Sequence, residues 1–116
     1  MYLQLKHSNL DVFKLAKEFV LACYKQTVSF PAEEKFGMIS QIRRAALSVH
    51  LNIAEGCSRT SEKERKRFYE IARGSIIEID TAMELAVNLK FIEKTKLENL
   101  GSLLIRIFQM LSKMIN

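Results

Sequence analysis

Two stretches in the second half of the chain place their core positions at alternating steps of four and three, and that spacing leaves little choice of fold. From Phe68 the positions fall at 68, 72, 75, 79, 82, 86 and 89, and a second run follows at Leu97, Leu100, Leu104, Ile107, Leu111 and Met114. This is the pattern of a coiled-coil seam or helical bundle. Each run opens with a capping box, Ser61 with Glu64 and Thr95 with Glu98, in which each side chain can satisfy the other's free backbone N–H. Two long helices with matched seams, joined by a short loop around Glu93 and Lys94, should pack antiparallel. Tyr69, Ile71, Ile76, Met83 and Leu85 widen the apolar face of the first, and Leu103, Phe108, Met110 and Ile115 that of the second. A central helix with two neighbours accounts for much of this width, and the remainder argues for self-association.

The first half reads as two more helices. Val12, Phe13, Ala16, Phe19, Val20 and Cys23 form one apolar stripe, which predicts a helix from Asn9 or Asp11 to Thr27, stopped by Phe30-Pro31. Pro31 suits a first helical turn, and Glu33 and Glu34 favour its positive end. A second helix is therefore expected from Pro31 to Ala54 or Glu55, burying Ile39, Ile42, Ala46, Val49 and Ile53, with Gly56 as its stop. One proline and four glycines are too few for a sandwich or barrel of many short strands, while 48% hydrophobic residues exclude disorder. With no linker or repeat, residues 1–116 form one all-α domain, an antiparallel up-down four-helix bundle. The longest apolar run, Phe19 to Tyr24, spans six residues, against roughly 20 for a membrane helix. The N-terminus shows no export signal. The expectation is a soluble cytoplasmic protein without membrane contact, in which Cys23 and Cys57 are reduced thiols.

The polar residues leave little room for catalysis. His50 lacks a glutamate three residues earlier, as does His7, so the di-iron Glu-x-x-His pattern is absent. No metal-ligand spacing, glycine-rich phosphate loop or nucleophile elbow occurs, so neither a metal nor a cofactor is expected. Gln41, Arg44, Ser48, Asn52 and Glu55 do share one face of helix two, and the facing part of helix three offers Arg73, Ser75 and Glu78. These eight residues read as a structural polar network that fixes helix register or a subunit contact, in preference to a polar site between helices.

Charge points elsewhere. The formal net charge is +5, and Arg59, Lys63, Arg65, Lys66 and Arg67 crowd around the start of helix three. Cations at a helix N-terminus oppose its dipole at about 0.3 kcal/mol or more each, so helix stability alone does not select them. A phosphate-binding patch accounts for the placement, with Arg43 a further candidate; a solvated charged face is the plainer reading for a single copy. Repetition around an oligomer would multiply the contacts to one nucleic acid.

Several of these residues also carry a family resemblance. The run Asp11-Val12-Phe13, Tyr24, Thr27, Phe30-Pro31, Glu34, Gly37, Gln41, Arg43-Arg44-Ala45, Ser48, Asn52-Ile53-Ala54-Glu55-Gly56, Arg59, Phe68, Ile71-Ala72, Gly74-Ser75 and Glu78 resembles the bacterial four-helix-bundle proteins named for reading frames in intervening sequences of 23S rRNA genes. It lacks a Trp common near Phe13 and a Pro common where His50 stands, which removes the reason to expect a kink in helix two. The resemblance implies a ring-shaped homopentamer without established enzymatic activity. Related accessory proteins of diversity-generating retroelements are basic pentamers that bind a reverse transcriptase and nucleic acid. The expectation is thus a non-enzymatic homo-oligomer binding RNA or DNA through Arg59, Lys63, Arg65, Lys66 and Arg67. The alternative is an adaptor or scaffold ring for a larger enzyme such as a reverse transcriptase, and an enzyme acting through Arg44, Asn52, Glu55, Arg73 and Glu78 ranks behind both.

Overall fold

The apolar stripes close into four α-helices in the computed structural model, which describes residues 1–116 apart from the side chains of Lys6 and Asn9. They are α1 (Asp11–Thr27), α2 (Met38–Ser58), α3 (Glu62–Asn88) and α4 (Glu98–Ile115), and there is no strand among the described residues. Asp11 sits in the first turn of α1, where the helix dipole favours a carboxylate. At its other end the Thr27 hydroxyl donates to the Cys23 carbonyl at 2.8 Å, and Phe30 N–H closes onto the Thr27 carbonyl in the turn that precedes Pro31.

Helix two differs from its sequence reading at both ends. Pro31 starts only a 3-10 turn over Ala32–Glu34, and α2 begins at Met38. The Glu34 carboxylate bends forward to accept from Met38 N–H at 3.1 Å. It occupies the space at Gly37, where a Cβ would lie 2.9 Å from Glu34 Oε1. Gly56 is not a stop, since α2 runs on to Ser58 and turns extended at Arg59. Its lack of a side chain serves packing instead: a Cβ there would stand 2.6 Å from the Tyr69 ring. α2 is continuous from Met38 to Ser58, in keeping with the missing proline.

At the start of α3, half of the expected capping box is present, with Ser61 Oγ accepting from Glu64 N–H at 3.3 Å. The helix ends in a Schellman turn, in which Phe91 N–H reaches the Ala86 carbonyl and Lys90 N–H the Val87 carbonyl. The second capping box does not form. Residues Lys94–Leu97 coil into a 3-10 turn, and α4 starts at Glu98 without a side-chain cap.

Ser48 opposite Ser75, and Gly56 opposite Tyr69, show α2 and α3 running antiparallel, and this is the most extensive helix pair. α1 packs on α2 and α4, and α4 on α3, so the four helices enclose one core. Fully buried Ala16, Ala46, Ala72 and Ala86 let backbones approach between Phe19, Ile53, Ile79, Ile107 and Leu111. On α3 the expected seam positions Ala72, Ser75, Ile79 and Ala86 are buried, and so are Tyr69, Ile76 and Met83 beside them. Phe68 and Ala82 are half-buried, and Leu89, past the last turn, is exposed. The buried face is wider than one seam because α3 must face both α2 and α4. Cys23 and Cys57 are unbridged, and burial pushes the Cys23 thiol up to about 12. Among the described residues no helix is long and apolar enough to cross a membrane.

Candidate nucleic-acid interface

The three-residue connection from α2 to α3 gathers the basic cluster at one end of the molecule. Arg59, the residue that ends α2, places its guanidinium over the Phe68 ring at 5.0 Å and pairs with Glu55 at 3.0 Å. Arg65 turns back from the first turns of α3, donating to the Thr60 carbonyl at 2.7 Å and the Arg59 carbonyl at 3.2 Å. It is a clamp on the turn, with its charge aimed at backbone. Lys66 pairs with Glu62 at 3.2 Å one helical turn away. Both ion pairs are at the surface, where such contacts are worth about 0.3–0.5 kcal/mol and yield readily to a phosphate. Lys63 and Arg67, four apart on one exposed face, make no side-chain hydrogen bond or ion pair among the described residues.

Arg43 does not belong to this surface. Its Nε donates to Thr27 Oγ1 at 2.9 Å and its Nη2 to the Tyr24 carbonyl at 3.3 Å, with the guanidinium 4.7 Å from the Tyr24 ring. It satisfies the carboxyl end of α1, which the dipole favours for a cation. A basic residue on a helix flank reads the same in sequence whether it meets solvent or a neighbouring helix end, so only tertiary contact separates the two.

The eight-residue polar stripe splits into smaller units. Ser75 Oγ donates to Ser48 Oγ at 2.9 Å across α2 and α3, and Asn52 Nδ2 donates to the Ser48 carbonyl and hydroxyl at 2.8 and 3.0 Å. Arg73 faces the other way and donates to Ser112 Oγ of α4 at 3.2 Å. Glu55 belongs to the Arg59 pair, whereas Gln41, Arg44 and Glu78 are exposed. Buried Ser75 and half-buried Ser48 and Asn52 thus lock the α2–α3 register, and neither main surface groove of the molecule reaches them.

Two features escaped sequence reasoning. A groove between α3 and α4 is lined by Met83, Val87, Leu97, Leu100, Leu104 and Ile105, of which the spacing assigns only Leu97, Leu100 and Leu104 to a packed seam. The aromatic group His7, Phe13 and His50 forms where the N-terminal turn meets α1 and α2, with Phe13 and His50 stacked at 4.1 Å. Among the described residues the buried His50 Nδ1 has no hydrogen-bond partner; burial first, then Lys17 and His7, lower the imidazole below its usual range. Among the described residues no three His, Cys, Asp or Glu side chains come together as a metal site.

Fold and surface therefore define an all-α protein of four helices with a basic hairpin at one end. The chain belongs to the family of 23S rRNA-intervening sequence proteins, whose model matches residues 8–113. Its fold is similar to that of a protein with unknown function from the S23 ribosomal protein family of Bacteroides thetaiotaomicron. The two share 24% identity at a TM-score of 0.80, covering 90% of this chain and 98% of that one. No curated protein matches the chain.

Proposed function

We propose that this protein is a non-enzymatic, cytoplasmic homo-oligomer, assembled as a ring-shaped pentamer, that binds RNA or DNA through phosphate contacts at the α2–α3 hairpin. The observation that carries the reading is the pair of exposed, unpartnered cations Lys63 and Arg67, placed at the positive end of α3 against its dipole. Arg59 and Lys66 join them by exchanging weak surface carboxylate partners for phosphates. Self-association is supported by Leu51 of α2 and Ile71 and Leu85 of α3, each 43–59% exposed beside the Ser48–Ser75 contact's helices. Arg44 and Glu78, exposed on the same two helices, offer opposite charges to neighbouring copies. Five copies would carry about +25, a field that attracts polyanions.

The apolar α3–α4 groove favours a second reading, in which the ring is an adaptor that docks a helical segment of a larger enzyme such as a reverse transcriptase. Anisotropy of labelled single-stranded RNA and duplex DNA, titrated across salt, separates the two. Wild type should bind at low salt, and Lys63→Glu/Lys66→Glu/Arg67→Glu should flatten the salt slope by roughly 0.7–0.9 unit for each phosphate no longer neutralised. No binding at low salt removes the nucleic-acid reading and leaves the adaptor.

A further inference from the structure

The opposite end of α3 carries a second set of cations, and its backbone shows that they are there at a cost. Lys90 follows the α3 C-cap, Leu89, in the Schellman turn, and its φ is 63°, the left-handed region that glycine occupies freely. A cation there could serve the helix dipole, yet the last turn of α3, which needs no such conformation, holds no basic residue. Lys94 and Lys96 follow in the 3-10 turn that leads directly into α4, so they oppose the positive end of that helix as the other cluster opposes α3. Stability alone selects none of the three.

All three border the same cleft. Lys90, Lys94 and Lys96 line one shallow cleft of about 520 Å³ with Ser29, Phe91 and a single carboxylate, Glu93. All three lysines are exposed and make no ion pair among the described residues. Phe30 and Phe91 rings, 5.8 Å apart, tie the α1–α2 connection to this turn. That connection presents Phe36, 89% exposed, with Lys35 Nζ 5.5 Å from its ring centre. Cations in a groove and a bare aromatic ring at the same end of the bundle are the elements of a single-strand site, where phosphates meet the charges and an unpaired base stacks on the ring.

We infer that this end of the bundle is a second contact site for single-stranded nucleic acid, with Lys90, Lys94 and Lys96 taking phosphates and Phe36 stacking on a base. The inference rests on the nucleic-acid reading above for the first contact, at the α2–α3 hairpin. Helix α3 has 27 residues and separates the two sites by about 40 Å at 1.5 Å per residue.

The test is anisotropy of a fluorescein-labelled oligouridine of at least about 12 nucleotides, enough to span that distance at roughly 3.4 Å each. Wild type is compared with Lys90→Gly/Lys94→Gln/Lys96→Gln, with Phe36→Ala and with Lys63→Gln/Arg67→Gln over a salt series. The triple variant should melt no lower than wild type, because glycine relieves the left-handed residue, and should still lower the salt slope by about 2 units. Phe36→Ala should weaken binding at an unchanged slope. If the triple variant binds as wild type while Lys63→Gln/Arg67→Gln does not, the second site is wrong and the hairpin reading stands. The reverse outcome upholds the turn site and removes the hairpin contact. Wild type that fails to bind, or binding that is equal in every variant, overturns both.

Discussion

Gly56 shows how one residue can hold two helices together by what it lacks. With a Cβ position 2.6 Å from Tyr69 Cε1 and 3.2 Å from Phe68 Cβ, any side chain must push α3 outward. The displaced ring also donates or accepts at Cys57 Sγ, 3.3 Å away, and burial followed by that contact raises the Tyr69 phenol above its usual range. Gly56→Ala should therefore destabilise by about 1–3 kcal/mol in urea unfolding, the cost of overpacking, despite the better helix propensity of alanine. A stabilised variant would show that Tyr69 moves freely. His50 makes a prediction of a different kind. Burial, Lys17 and His7 all disfavour its imidazolium, so its folded pKa lies below the unfolded value of about 6.5. The unfolded chain takes up the proton first, hence stability present above about pH 6.5 is lost as pH falls through the folded pKa. Melting temperatures should drop between about pH 7 and pH 5 in wild type and less so in His50→Gln; parallel curves would exclude His50 as the cause.

At the scale of elements, helix ends are set by whichever partner reaches the unpaired backbone groups first. Ser61 reaches Glu64 N–H, and α3 starts where its capping signal puts it. Thr95 and Glu98 have the same spacing, yet the four residues Lys94–Leu97 form i→i+3 turns and leave Thr95 inside them. The α3–α4 link must climb from the Schellman turn back to the core through buried Ile92, which dictates its path. Ser61→Ala should cost about 1 kcal/mol in chemical unfolding, whereas Thr95→Ala should leave stability unchanged within about 0.5 kcal/mol, as for a surface site. Equal losses would mean that both boxes form in solution. Arg43 belongs at this scale too, since it closes α1 through Thr27 and Tyr24 from α2.

For the whole molecule, the apolar residues divide into those that close the core and those that do not. Leu47, Leu51, Ile71, Ile77, Leu85 and Ile105 lie on three helices and are 40–59% exposed, so the core is complete without them. Light scattering should show an assembly at micromolar concentration, and Leu51→Asp/Ile71→Asp should dissociate it with helical circular dichroism retained, because neither residue fills the core. A wild-type monomer would remove the oligomer from the proposed function and leave the charge on a single copy.

Much was legible in the chain because its signals are local. The stop at Phe30-Pro31, the Ser61 cap and the recurrence of apolar residues every three to four positions depend on residues a turn or less apart, and these determine four helices in one core. The exposure of Leu89 at the end of the α3 seam, the burial of Gly56 and the left-handed Lys90 depend on what the facing helix presents, which no local pattern encodes. The same division runs through the charges. Sequence placed Lys63 and Arg67 at a helix start, but only packing turned Arg43 inward to a helix end, bent Arg65 onto its own turn and brought Lys90, Lys94 and Lys96 to one cleft. A long cationic side chain can reach backbone, carboxylate or solvent at similar cost, so its role is decided by the nearest unsatisfied partner in three dimensions.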